Sequence, residues 1–352
     1  MLNWLVSEIS PRPLGLARII VGAAALIRSV VAWQVLTGLT DPDVLRTPFA
    51  GWLPDPTMPL VVGIVVVWFL SAVAFTVGWR VAITGPTLLA SIVVAVSLDQ
   101  QAYSNHLYLM AWLVLLMTLA DAGAGLSISK RDRPVVRWPV LLIMLQASLV
   151  YGFSALTKLN DSFLSGEGLA GVLVGGMVPF PESLRNPSFL SALAAVVVVV
   201  ELFIAIMIWH HRFRPAGFIL GLGLHISITL LMASTAELAV FSLEMLALYP
   251  LFLGGDGLRV AVEEGHSVVW CRRIRRFDHL KVVECSAADR IRDMTLTHRG
   301  QTTHGAAAHT RVLEHLVPWL WLAPLLRLPI VRRLHERRHP VAAEQRLGAA
   351  SG

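Results

Sequence analysis

Lys158, His106 and His225 are the residues whose types and spacing point to chemistry. Each interrupts or borders a long apolar run, where an ionisable side chain is costly and usually faces a protein interior or a polar cavity. A lysine partly withdrawn from water near other cations loses preference for its charged form, and a neutral amine is a base. Two histidines on the same half of a bundle would place and polarise a substrate beside it. The bland readings stand next to this one. Lys158 closes the segment Tyr151-Gly-Phe-Ser-Ala-Leu-Thr-Lys158, where a lysine snorkelling to the membrane surface is ordinary, and a lone buried histidine is usually a satisfied structural one. Glu201 and Glu244 lie deep in other apolar runs, where an ion pair is the simplest account of each, and a His225–Glu244 contact is geometrically allowed. Arg18 and Arg28 either snorkel or pair with a carboxylate.

The elements that must position these residues follow from composition. The chain has 352 residues, 55% hydrophobic and 15% charged, with a mean hydropathy of +0.66. Soluble domains carry about a quarter charged residues, so the solvent for this apolar surface is a bilayer. A spanning helix needs about 20 mostly apolar residues. Eight segments qualify, near 14–36, 60–78, 82–98, 106–124, 138–157, 188–209, 215–233 and 237–253. The second and third are separated only by Gly78-Trp79-Arg80 and predict a tight hairpin. Strand-period alternation is missing, which excludes a β-barrel. The expected fold is all-α, a multi-pass transmembrane helical bundle of about eight spans, with a small α/β cytoplasmic C-terminal domain. Residues 1–255 form the membrane domain in this reading and residues 256–352 the tail.

Charge sets the orientation. Residues 1–255 hold thirteen Lys/Arg and thirteen Asp/Glu, so the net +6 sits in the tail. Alternate connections carry Arg80, then Lys130, Arg131, Arg133 and Arg137, then Arg212 and Arg214, then the tail. The opposite set is acidic or sparse. Positive-inside bias then places both termini in the cytoplasm, with Lys158 and His106 at the outer boundary and His225 about nine residues, roughly 14 Å, below it. The same bias explains the basic tail without nucleic-acid binding. The N-terminus has no basic region ahead of a short apolar core, so the first apolar segment is expected to stay in the protein.

In the tail, Arg259–Val262 and Leu280–Val283 read as short strands flanking a basic helix from Val268 to Phe277. The apolar run Leu316–Leu334 contains Pro318, Pro324, Pro329 and Arg327, which favours helical turns in a small domain or at the membrane surface over a ninth span. Gly348–Gly352 reads as a frayed end. Cys271 and Cys285 show no zinc-ligand spacing and are expected to be ordinary reduced thiols.

Four segments together resemble a known family. They are Pro13-Leu-Gly-Leu-Ala-Arg18-Ile-Ile-Val-Gly22, Asn105-His106-Leu-Tyr108, Lys158-Leu159-Asn160 with Phe163 and Gly166, and His225 with Phe241-Ser-Leu-Glu244-Met-Leu-Ala-Leu-Tyr-Pro250. Their order and spacing resemble the vitamin K-dependent γ-carboxylase-like membrane family, also called HTTM. The resemblance implies that Lys158 is the base that deprotonates a reduced quinone, that His106 assists, and that His225 completes the catalytic set. Asn105, Arg18 and Glu244 are the expected substrate-binding residues. Thr157 stands where the carboxylase has a second lysine, Phe163 stands where it has a tryptophan, and the chain has no room for its large luminal domain. Quinone binding or oxygenation is therefore the implied activity, rather than glutamate carboxylation. The tail distantly resembles the DCC-type thiol-disulfide oxidoreductase-like family, through Phe277-Asp278, His298-Arg-Gly300 to Gly305-Ala306-Ala307, and Leu316-Val-Pro318 to Arg337. That family's Asp-Gly-x-Cys-x-x-Cys corresponds here to Glu264-Gly265-His-Ser267-Val-Val-Trp270, with neither cysteine in place.

Two functions of different class remain open on the sequence. One is a bacterial plasma-membrane protein that binds a membrane quinone, or a similar hydrophobic small molecule, and uses Lys158 as base. The other is a non-catalytic scaffold whose tail docks a cytoplasmic or membrane protein. A transporter ranks third, because repeat halves and paired broken helices are missing. The lipid bilayer is a partner in every case.

Overall fold

The structure, a computed structural model, describes residues 2–49, 51–128, 132–232, 235–254, 258–288, 294–298, 301–316, 319 and 322–338. Lys130, Arg131, Arg299, Gly300 and the end 348–352 lie outside them, as do Val317 and Pro318. The chain divides into two compact units. One comprises Met1–Ile206 with Leu220–Leu251, the other Met207–Ile219 with Phe252–Gly352.

Eight helices occupy the eight apolar segments: α1 Arg12–Gly38, α2 Met58–Thr76, α3 Val81–Leu98, α4 Asn105–Leu119, α5 Arg137–Thr157, α6 Pro187–Met207, α7 Arg214–Leu231 and α8 Thr235–Ala247. Six of them (α1, α2, α3, α5, α6 and α7) are long and apolar enough to cross a membrane. The fourth and eighth segments are shorter than expected, at 15 and 13 residues. Helix α4 stops because Asp121 takes a left-handed conformation (φ 54°) and a 3-10 turn, Ala122–Ala124, follows. Beyond α8 the chain tightens into the 3-10 turn Tyr249–Phe252, as Pro250 disfavours α-helix in the residue before it. Helix α2 is apolar on all sides; its Val62, Val66, Phe69 and Leu70 remain exposed, as a lipid-facing wall requires, while Trp68 turns inward and donates to the Ala25 carbonyl at 3.1 Å.

The hairpin between α2 and α3 forms as expected, with Gly78 at φ 76° and Arg80 at φ 42°. Gly78 also lies against the buried Arg18 guanidinium, which leaves no room there for a side chain. Arg18 donates to the carbonyls of Ala122 (2.6 Å), Gly125 (3.0 Å), Leu126 (2.7 Å) and Thr76 (3.3 Å). It thereby ties α1 to the C-terminal ends of α2 and α4. At the same end of the bundle β1 (Glu8–Ile9) pairs antiparallel with β2 (Val135–Val136), bringing together the entries to α1 and α5. The connection after α5 is folded: short helices at Asp161–Leu164 and Glu167–Val172 and the chain beyond them bury Leu169, Leu173 and Phe180 against Leu190 and Ala194 of α6.

The second unit carries a four-stranded sheet ordered β4-β3-β5-β6, from β3 Leu258–Glu263, β4 Val283–Ala288, β5 Thr295–His298 and β6 Gln301–His304. Strands β3 and β4 are parallel across helix α9 (Glu264–Phe277), and β5 and β6 are antiparallel additions. Asp278 starts β4 by accepting the backbone amides of Val282 and Val283 at 3.0 and 2.9 Å. Helices α10 (Gly305–Leu313) and α11 (Pro329–Arg338) follow, with a 3-10 turn at Ala323–Arg327. The run that tempts a ninth span contains no spanning helix among its described residues. Reduced thiols are corrected: Cys271 on α9 and Cys285 on β4 form a disulfide, with Cα atoms 5.5 Å apart. The β–α–β unit brings them together because α9 packs against β4.

Candidate functional site

Lys158 is the residue that ends α5, and its stem folds back along the helix instead of outward. The ammonium donates to both carboxylate oxygens of Glu201 on α6, at 2.9 and 3.0 Å, and to the Ser154 hydroxyl one turn earlier. Ser154 in turn donates to Glu201 at 3.0 Å. The Phe163 ring centroid is 5.8 Å from the nitrogen, within cation–π reach. The Glu201 side chain is 8% exposed and that of Lys158 25%. A snorkelling lysine is therefore not what the fold contains: a deep carboxylate, which needs a cation in a medium of low dielectric, draws the amine inward.

Tyr151 lies on the same face of α5, three residues before Ser154 and seven before Lys158, which is the spacing that stacks side chains on a helix. Its hydroxyl sits between Nε2 of His225 (2.7 Å) and the Tyr249 hydroxyl (2.8 Å). His225 Nδ1 is 3.2 Å from the Ser242 hydroxyl, which is 3.0 Å from Thr229. The row Tyr249–Tyr151–His225–Ser242–Thr229 is thus a run of donor–acceptor groups that can be oriented in either sense by choice of imidazole tautomer. Gly221, one turn before His225, makes the row fit, since a Cβ there would overlap the Tyr249 hydroxyl.

His106, half-buried at the start of α4, packs against Phe241 with ring centroids 4.5 Å apart, and the same ring lies 5.5 Å from that of His225. Phe241 thus contacts both histidine rings. Around His106, Arg28 bonds Glu237 at 2.8 Å and the Ser104 hydroxyl at 2.9 Å. Asn105 is exposed and accepts from the Tyr103 hydroxyl at 3.0 Å. Glu244 is fully buried, yet it does not meet His225, whose ring nitrogens are taken by Tyr151 and Ser242; neither Glu244 oxygen has a hydrogen-bond partner among the described residues. Arg18 does not join the others. Its four carbonyl partners hold it at the opposite end of the bundle from Lys158, where it acts as a clamp between α1 and the ends of α2 and α4.

The HTTM domain pattern matches residues 7–256, most of the chain. The chain belongs to the HTTM domain family. No curated protein and no solved structure matches it. Within the HTTM bundle, sequence reasoning flagged Lys158, His225 and Glu201 but missed what joins them. Tyr151, Ser154, Ser242 and Tyr249 complete the polar core, and only the spacing of Tyr151, Ser154 and Lys158 on one face of α5 signalled it in advance.

Proposed function

We propose that the HTTM bundle binds a membrane quinone, or a hydrophobic small molecule of the same kind, next to the Lys158–Glu201 pair, and that this pair moves its proton. The observation that carries the reading is a lysine turned away from the membrane surface onto a deep carboxylate, with Ser154 and Tyr151 continuing the polar row along one helix face. A purely structural pair would have no use for the Tyr151–His225 row beside it.

The cluster of Lys158, Glu201 and Ser154, set in otherwise apolar helices, supplies donors and acceptors that would orient such a ligand. A reduced quinone supplies an ionisable hydroxyl and the reducing electrons. Lys158 passes a proton across 2.9 Å to Glu201 and, as a neutral amine, accepts the ligand's hydroxyl proton. Lys158 ends charged again, Glu201 ends as the acid, and the new anion lies beside an ammonium. His225, oriented by Tyr151 and Ser242, polarises the ligand. His106 packs on the Phe241 ring that also touches His225.

The reading also places the protein in a bacterial plasma membrane with both termini cytoplasmic, supported by the loop charge bias. The tail is a degenerate DCC-like docking module, supported by its β–α–β unit and by Ser267 and Trp270 at the positions of the missing cysteines.

The test is to purify the full chain in detergent, identify retained quinones by mass spectrometry, and measure quinol-dependent oxygen uptake. One quinone species should co-purify, and Lys158→Ala and Lys158→Arg should both abolish uptake, since arginine stays protonated near neutral pH. Retention of bulk phospholipid alone, or full activity in Lys158→Arg, would sink the reading in favour of a non-catalytic scaffold.

A further inference from the structure

The connection between α6 and α7, together with α10, the Ala323–Arg327 turn and α11, encloses a cleft of about 390 Å³ that the quinone reading does not use. Four arginines line it, Arg212, Arg311, Arg327 and Arg332, against two glutamates, Glu314 and Glu336. His211 and His335 complete the polar wall. Both carboxylates already have a cation. Glu314 is clasped by Arg327, which also donates to the Arg212 carbonyl at 2.7 Å, and Glu336 lies 3.2 Å from Arg332. By formal charge the walls are left with an excess of two positive charges before either histidine is protonated.

The surroundings of this cleft are those of a membrane boundary. One wall is the turn between two spanning helices, with Arg212 exposed on it. The segment that supplies Arg327 and Arg332 also presents Leu325, Leu328, Ile330 and Leu334 to the outside, 51%, 51%, 77% and 56% exposed. Exposed leucine and isoleucine interleaved with arginine is the pattern of a segment lying in the headgroup layer. The cleft volume falls in the range of about 300–1,000 Å³ for small-molecule sites, and guanidinium groups match phosphate oxygens bidentately.

We propose that this cleft is a binding site for the phosphate headgroup of an anionic phospholipid, with the acyl chains lying along Leu325, Leu328 and Ile330. Arg212 and Arg311 hold the phosphate, and the apolar shelf distinguishes a lipid from a soluble phosphate. The site thereby anchors the tail to the bilayer face at the α6–α7 turn.

The test uses the full-length protein in detergent, titrated with short-chain phosphatidylglycerol or phosphatidylcholine and read by native mass spectrometry. The wild type should retain one phosphatidylglycerol in preference to phosphatidylcholine. Arg212→Gln/Arg311→Gln should weaken that binding by about thirtyfold, from the contribution of two arginines near a membrane surface. Arg272→Gln/Arg276→Gln, on exposed positions of α9, should leave it unchanged. Because Arg311 is partly buried, Ile330→Asp/Leu334→Asp provides a second arm on exposed positions and should weaken lipid binding alone. Phosphatidylglycerol binding as tight in the cleft variant as in the α9 variant would overturn the proposal. So would displacement of the lipid by inorganic phosphate at the same concentration, which would mark a soluble-anion site instead.

Discussion

Lys158 and Glu201 depend on each other more than either depends on the rest of the bundle. Removing one partner of a buried pair leaves the other charged and unsolvated, which costs about 3–5 kcal/mol when both are fully buried. The 25% exposure of Lys158 lets water screen part of that, so Lys158→Ala is expected to destabilise by roughly 2–3 kcal/mol. The double variant Lys158→Met/Glu201→Leu removes both charges at nearly constant volume and should recover most of the loss. Thermal unfolding in detergent reads the difference. A double variant no more stable than the single one would show that the pair is not compensating a buried charge.

Two helix-scale features make their own predictions. Gly221 gives α7 a gap that the Tyr249 hydroxyl fills. Gly221→Ala should force that ring away from Tyr151, at an overpacking cost of about 1–3 kcal/mol. Activity should fall further than stability, because the row through Tyr151 to His225 loses its end; a variant with wild-type activity and unfolding temperature would show the row to be incidental. Arg18 works at the opposite end, where its guanidinium satisfies four carbonyls from two segments. Arg18→Ala leaves those carbonyls without their donor and is expected to cost roughly 3 kcal/mol or more. The folded fraction should bind quinone normally. Lost binding with an unchanged melting temperature would return Arg18 to the substrate.

At the scale of the whole molecule, charge bias predicts sidedness. In a chain with Cys271 and Cys285 replaced by serine, cysteines introduced at Asp43 and Glu182 should react with an impermeant thiol reagent in intact cells. A cysteine at Arg133 should react only after the membrane is opened. Labelling of position 133 from outside would reverse the assignment. The Cys271–Cys285 bond bears on the same question, because a cytoplasmic pool of reduced glutathione keeps most thiols reduced. Alkylation of the denatured, unreduced protein is expected to modify neither cysteine. Adducts at both would mean that the thiols are free in the cell.

Long apolar runs determined the helices by themselves, because a bilayer leaves a backbone almost no alternative. The places where α4 and α8 end were not legible. One depends on Asp121 adopting a left-handed conformation under carbonyls held by Arg18, the other on a tightening of the chain before Pro250. In the tail, the helix and the approximate strands were legible from pattern, while the β5–β6 hairpin was not anticipated and the disulfide needed the crossover that brings residues 271 and 285 together. For the candidate site, rarity in an apolar setting was enough to single out Lys158, His225 and Glu201, since ionisable groups in lipid need a reason to be there. Their partners were another matter. Which carboxylate draws Lys158 inward, which ring contacts both His106 and His225, and which groups complete the Tyr151 row all depend on how each helix is rotated about its axis. Apolar sequence on every face leaves that rotation open, and only tertiary packing closes it.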